Sequence, residues 1–145
     1  MVRWSSMESK PSEPQHFVLT AQPVGGRSAD QKLLLVQIIL ALSLVFVFGY
    51  FGVDKFRSPL LWTQFLPVWM DGFLGLSKVL WMYVFGSIEV ILAILLIVPQ
   101  KSIRRIGCAL VILHLLAVLW QLGWNDVAVR DMGLLLSAMA LMVCM

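Results

Sequence analysis

Charged residues are scarce in this chain. Only 13% of its 145 residues are Asp, Glu, Lys or Arg, whereas 60% are hydrophobic, and the mean hydropathy is +0.89. This composition excludes a water-soluble domain and is typical of chains whose apolar side chains face lipid. The formal net charge of +3 indicates attraction to anionic lipid. It does not indicate nucleic acid, because no segment interleaves basic and aromatic residues.

Cysteine and histidine are almost absent, which excludes several kinds of redox or metal site. Cys108 and Cys144 do not form a CxxC pair, so a thiol-redox membrane bundle that needs closely spaced cysteines is excluded. His114 has no second metal-ligating side chain at helical spacing, and His16 lies in the N-terminal segment. We therefore expect no metal site and no haem held by two histidines. Hydrogen bonding across the bundle and contact with a ligand both stay open for His114.

Four long apolar segments are what the chain does have. They cover residues 33–53, 79–99, 103–124 and 126–145. Each has about 20 residues, and at about 1.5 Å per residue such a helix crosses a hydrocarbon core of about 30 Å. The predicted fold is all-α, an integral membrane four-helix bundle formed by residues 31–145.

The connection between the first two predicted helices, residues 54–77, is long and amphipathic. Ser58 followed by Pro59 is typical of a helix start, with an N-cap and a proline at the first helical position. Apolar side chains then recur on one face: Leu61, Trp62, Phe65, Leu66 and Trp69. The stretch is too short and too interrupted to span a membrane, so it is predicted to be an extra interfacial segment.

The first 30 residues are polar and contain no apolar core of signal-peptide type. They are predicted to be a flexible cytosolic tail. Seven basic residues lie on the side that holds the N-terminus and the loop between helices 2 and 3: Arg3, Lys10, Arg27, Lys32, Lys101, Arg104 and Arg105. The other side has three or four. Because cytoplasmic loops carry the excess of Lys and Arg, both termini are predicted to be cytoplasmic.

Glycines in the predicted helices indicate where helices approach one another closely. Gly49 and Gly52 lie three residues apart near the end of helix 1, Gly86 precedes Glu89 by three residues in helix 2, and Gly133 lies in helix 4. We predict that all four glycines are helix contacts.

Glu89 lies near the middle of the second apolar segment. An intramembrane charge costs about 2.5–3.5 kcal/mol on insertion scales, so such residues usually face the interior and have a partner. Glu89 is either ionised and paired with Arg130, as a tie between helices, or unpaired and neutral, able to accept or pass a proton. We expect Glu89 and Arg130 to form the floor of an outward-facing polar pocket, with Lys55 and Asp131 at its rim and His114 beside it.

Three segments resemble the DoxX family of small four-helix bacterial membrane proteins: "FGVDKF", "GSIEVILAILLIVP" and "RDMGLLLSAMAL". The matching positions occur in the family's order and spacing: Gly52, Lys55, Phe56, Gly86, Glu89, Arg130, Asp131 and Gly133. The resemblance covers the chain from about residue 33 onward and leaves out the tail.

The resemblance implies a bacterial inner-membrane protein. Some DoxX-like proteins are membrane subunits of quinone-linked oxidoreductases, including thiosulfate:quinone oxidoreductase, and others are linked to thiol-based stress resistance. The expected function is therefore a membrane or quinone-contacting subunit of an oxidoreductase system, with quinone as the candidate cofactor. The expected partners are the lipid bilayer, an oxidoreductase subunit or a second copy of the chain. The alternative is a non-enzymatic membrane protein that binds a lipid-like small molecule or scaffolds a partner.

Overall fold

The computed structural model describes residues 26–145, and these residues form helices and no strand. The helices are α1 (Gly26–Arg57), α2 (Pro59–Trp62), α3 (Lys78–Ile97), α4 (Lys101–Leu122) and α5 (Asp126–Cys144). Four of them, α1, α3, α4 and α5, are long and apolar enough to cross a membrane. The predicted all-α four-helix class is confirmed, and the chain is a multi-pass membrane protein.

The predicted tail lies mostly outside the described residues, which begin at residue 26. α1 begins at Gly26, so residues 26–30 are helical rather than part of a flexible tail. At its other end α1 continues to Arg57, beyond the predicted end at residue 53. The hydropathy pattern placed the end of the helix at the first charged residues, but backbone hydrogen bonding continues through them.

Two spanning helices begin at side-chain caps. The Ser77 hydroxyl oxygen accepts a hydrogen bond from the Leu80 N–H at 3.4 Å, at the start of α3. The Asn125 side-chain oxygen accepts one from the Ala128 N–H at 2.9 Å, at the start of α5. Each cap satisfies one of the backbone donors that a helix start leaves without an intrahelical partner. α4 ends at Gly123, whose φ of +64° favours glycine.

Residues 58–77 form a segment that we call the covering segment. Ser58 and Pro59 occupy the N-cap and first helical positions, as predicted, but α2 is a single turn. Three short 3-10 turns follow it: Thr63–Phe65, Val68–Met70 and Phe73–Gly75. Leu60 is 73% exposed and Val68 is 84% exposed. An irregular segment with outward-facing apolar side chains fits the membrane–water interface.

The end of α1 lies beside the interior of α3 rather than beside its first turn. A Cβ atom placed on Gly86 would lie 2.8 Å from the Gly52 carbonyl oxygen and 3.2 Å from the Lys55 Cβ atom. Lys55 is therefore level with Gly86. Gly86 lies eight residues after the start of α3, which is about 12 Å along the helix axis. The covering segment packs against α1 and α3.

The two ends of the bundle differ in packing. The terminal end contains the start of α1, the α3–α4 connection and the end of α5; the loop end contains the covering segment and the α4–α5 turn. At the terminal end each spanning helix contributes a side chain with 0% exposure: Leu44, Leu96, Val111 and Leu141. The Gln37 side-chain amide also donates a hydrogen bond to the Cys144 carbonyl, which links α1 to α5. The loop end holds the candidate site.

Candidate functional site

The centre of the site is an ion pair between α1 and α3. The Lys55 Nζ atom lies 2.6 Å from Glu89 Oε2, and the two residues are 8% and 9% exposed. The Lys55 ammonium also lies 4.3 Å from the centre of the Trp62 ring, where a cation is attracted by the ring face. Burial of a lysine together with a carboxylate is expected in a membrane protein, because an unpaired charge is costly there and each ion compensates the other.

Trp62 is held over this pair by a hydrogen bond. Its indole N–H donates to Asp54 Oδ2 at 2.9 Å, and Phe51 packs edge-on against its ring, with 5.4 Å between centroids. The covering segment thus contributes an aromatic wall whose position is set by two residues of α1. Neither the Trp62–Asp54 bond nor its role was predicted from the sequence, since the two residues lie on opposite sides of a helix end.

His114 brings α4 to the same carboxylate. Its Nε2 atom is 3.6 Å from Glu89 Oε1, which makes an ion pair only when the imidazole is protonated. On its other side His114 packs against Phe48, with 5.9 Å between ring centroids. Glu89 therefore has a basic group near each of its two oxygens, one from α1 and one from α4.

Arg130 and Asp131 complete the cluster from α5. The Arg130 Nε and Nη2 atoms each lie 2.8 Å from Asp131 Oδ1, and the guanidinium carbon is 4.2 Å from the centre of the Phe51 ring. Asp131 is 4% exposed, whereas the Arg130 side chain is 37% exposed. All four spanning helices thus contribute at least one ionisable side chain to one cluster.

A cavity of about 300 Å³ lies above this cluster. Its lining includes the five residues that the sequence predicts for the polar site, which we call its floor: Lys55, Glu89, His114, Arg130 and Asp131. Its walls are mostly apolar and aromatic: Trp62, Phe65, Leu66, Trp69, Met70, Met82, Phe85, Ala117, Val118, Gln121, Leu122 and Val127. A second, smaller cavity of about 40 Å³ lies on the α1 side of the cluster and shares the same five polar residues. The cluster therefore separates the two cavities.

The charges of the cluster balance. Two cationic groups, Lys55 and Arg130, are paired with two carboxylates, Glu89 and Asp131, so the formal charge is zero when His114 is neutral. Within residues 26–145 no group of three or more His, Cys, Asp or Glu side chains could hold a metal ion. The arrangement can donate hydrogen bonds from Lys55 and Arg130 and can exchange protons at Glu89 and His114.

One feature of the predicted site is wrong. Glu89 pairs with Lys55, and Arg130 pairs instead with the neighbouring Asp131. Lys55 lines the cavity together with Glu89, and its Cβ atom lies beside Gly86 of α3.

The predicted glycine contacts divide into two groups. Gly52 and Gly86 are a true close contact between α1 and α3, since an added Cβ at either would lie within 3 Å of an atom of the other helix. An added Cβ at Gly49 or Gly133 would meet nothing within 4 Å, so neither is a close contact between helices within this chain. Spacing identifies small residues on a helix but not which of them face a neighbouring helix.

Comparisons of this chain with protein-family models, with curated protein sequences and with solved structures found no match.

Proposed function

We propose that this chain is a quinone-contacting membrane subunit of an oxidoreductase system, similar to members of the DoxX family. The observation that carries the proposal is the cavity of about 300 Å³, whose floor is charged and whose walls are apolar and aromatic. Small-molecule sites usually combine an apolar lining with a few polar groups that orient the ligand. A quinone ring has the matching chemistry, with apolar faces and carbonyl oxygens that accept hydrogen bonds.

The charge balance favours a neutral ligand. Because the cations and carboxylates of the cluster already compensate one another, a charged ligand would bring an uncompensated charge into the bundle. Such a charge costs about 2.5–3.5 kcal/mol at the centre of a membrane. A neutral acceptor needs only hydrogen-bond donors. Arg130 has five N–H donors, and its Nε and Nη2 atoms contact Asp131.

The floor of the cavity also contains groups that can supply protons. When bound, a quinone would supply the electron acceptor, and its reduction takes up protons together with electrons. Glu89 and His114 lie 3.6 Å apart and both line the cavity, so a proton can be held on either residue and passed to its neighbour. Lys55 would keep Glu89 in place through this exchange. The electrons would come from a partner subunit.

The positions that carry the resemblance to DoxX support the same proposal. Lys55, Glu89 and Asp131 come from three different helices and all line the cavity. Gly52 and Gly86 allow α1 and α3 to approach closely, which brings Lys55 to Glu89. A motif that is spread over three helices and converges on one cavity is expected if the motif serves a ligand.

The type of membrane and the orientation of the chain in it are part of the same proposal. The chain would lie in a bacterial inner membrane with both termini in the cytoplasm, because the basic residues are concentrated on that side. Cysteines introduced singly at Lys101, in the α3–α4 connection, and at Asp71, in the covering segment, would test this. In intact cells a membrane-impermeant thiol reagent should label the second position and not the first, and the reverse pattern would contradict the orientation.

The alternative function is a non-enzymatic membrane protein that binds a lipid-like molecule or scaffolds a partner. The observation in its favour is that the Lys55–Glu89 pair lies directly beside the closest α1–α3 contact, at Gly52 and Gly86. In this case the pair would act only as a tie between helices.

Native mass spectrometry of the gently solubilised protein tests the proposal. Wild type is compared with Glu89→Gln, which keeps the shape of the side chain and removes its charge. Asp71→Asn is the matched control, because Asp71 is an exposed carboxylate that does not line the cavity. We expect quinone bound to wild type and to the control, and an occupancy at least about tenfold lower, or about 1.4 kcal/mol, in Glu89→Gln. Wild-type protein that carries a lipid, or only a partner polypeptide, would instead support the alternative.

A further inference from the structure

α3 and α4 are in close contact at the terminal end and separate toward the loop end. At the terminal end a Cβ atom placed on Gly107 would lie 3.1 Å from the Leu95 Cβ atom, so the two helices touch there. Toward the loop end their facing side chains, such as Phe85 on α3 and Val118 on α4, line the cavity instead of packing together. The cavity thus lies partly between α3 and α4.

The α4 side of this space is continuous with the lipid-facing surface. Ala117 and Gln121 line the cavity and are themselves exposed. On the adjacent part of α4, Leu110 is 41% and Leu113 is 64% exposed, which marks a surface covered by lipid. Ala117 is the smallest side chain of α4 that lines the cavity, so it leaves the gap between α3 and α4 open.

The size of the cavity limits what it can enclose. At about 300 Å³ it lies at the lower end of the range of about 300–1,000 Å³ found for ligand pockets. This volume suits a ring and its small substituents but not a long prenyl chain. An apolar chain attached to a bound ring needs an apolar exit, and the gap beside Ala117 leads to the lipid.

We propose that the gap between α3 and α4 at Ala117 is a lateral portal for a prenylated quinone. The ligand enters the cavity from the bilayer through this gap, and its tail stays in the gap while the ring contacts the charged floor. The inference rests on the proposed function and adds to it the class of ligand, a membrane-resident quinone with a tail, and the residue that selects for the tail.

Filling the portal should separate tailed from tail-less ligands. The variant is Ala117→Phe, and the matched control is Ala109→Phe, an exposed alanine of α4 that does not line the cavity. Affinities are measured in nanodiscs for two pairs of probes: menaquinone with tail-less menadione, and ubiquinone with its tail-less dimethoxy-methyl-benzoquinone head group. We expect Ala117→Phe to weaken binding of the tailed member at least about tenfold more than binding of the tail-less member.

A second variant separates blocking of the portal from a defect in folding. In Ala117→Cys, combined with Cys144→Ser, the new thiol is exposed while Cys108 has 0% exposure. The protein is folded and purified first and then alkylated with a small or a bulky maleimide. The bulky reagent should reproduce the loss of the tailed quinone, and the small reagent should not.

The outcomes distinguish the inference from the proposed function. Equal losses for tailed and tail-less probes, or no loss for either, would overturn the portal while leaving quinone binding intact. Failure of wild-type protein to bind any of the four probes would overturn the proposed function and the portal together.

Discussion

At the terminal end the spanning helices meet through apolar side chains with no exposed surface, as Leu96 and Val111 illustrate. At the loop end the same helices meet through ionisable side chains around a cavity, with the Lys55–Glu89 pair at its centre. In lipid, apolar side chains gain little by leaving the bilayer for the bundle, so close packing is what holds such helices together. At the loop end the cavity replaces part of that close packing.

This difference indicates that the two ends serve different purposes. Replacing a buried ion pair with well-packed apolar residues of similar volume is often neutral or stabilising by about 1–4 kcal/mol. The charged cluster is therefore a poor device for stability alone. The terminal end holds the helices together, and under the proposed function the loop end presents charged groups to a ligand.

The largest expected effect comes from breaking the ion pair of the loop end. Lys55→Met leaves the Glu89 carboxylate buried without its main partner, and removing one partner of such a pair costs about 3–5 kcal/mol. The free energy of unfolding is measured by steric trapping in bicelles. The double variant Lys55→Met with Glu89→Leu should recover most of this loss while quinone binding stays absent. Recovery of binding together with stability would contradict the view that the charges serve the ligand.

A smaller effect is expected at the terminal end. Leu96→Ala leaves a void at a position with 0% exposure. We expect a loss of about 2–3 kcal/mol, the lower part of the range for buried leucines, because the gain from leaving water is missing in lipid. Ile97→Ala is the matched control, since Ile97 is 61% exposed and faces lipid. Steric trapping should show a loss for the first variant only, with quinone affinity unchanged in both; altered affinity in Leu96→Ala would mean that the two ends are coupled.

Much of the fold could be predicted from the sequence, because the hydropathy of consecutive residues marks each membrane-spanning helix. The predicted spans 79–99, 103–124 and 126–145 agree with α3, α4 and α5 to within about two residues, the usual scatter of helix boundaries. α1 was less accurate at both ends, since polar residues at a helix end do not stop backbone hydrogen bonding. The covering segment was recognised as non-spanning, but its separate turns depend on packing over the end of α1.

The partners within the site were harder to predict. The composition of the polar cluster follows from the cost of intramembrane charge, which makes Glu89 conspicuous. Pairing depends on the relative heights of the helices, which the sequence does not give. The end of α1 lies beside Gly86 of α3, so Lys55 reaches Glu89 and leaves Arg130 to Asp131. The spacing of residues along the chain does not reveal the offset of one helix along its axis relative to another.

The smallest expected effect tests the contact that sets this offset. Gly86→Ala would place a Cβ atom 2.8 Å from the Gly52 carbonyl oxygen, and that oxygen belongs to a helix backbone that cannot move aside cheaply. We expect a loss of about 1–3 kcal/mol by steric trapping, as for other overpacked sites. Gly133→Ala is the matched control, because its added methyl group would meet nothing within 4 Å, and alanine is favoured over glycine in a helix by about 1 kcal/mol.

The same pair of variants also reports on the ligand site. Gly86→Ala should push α1 away from α3 beside Lys55, lengthening the Lys55–Glu89 contact of 2.6 Å and weakening quinone binding. Gly133→Ala should leave quinone binding unchanged. If Gly86→Ala lost stability but bound quinone as wild type does, the height of α1 would matter for packing alone. The ligand would then be recognised by groups of α4 and α5, with Arg130 as the donor and the Lys55–Glu89 pair reduced to a tie between helices.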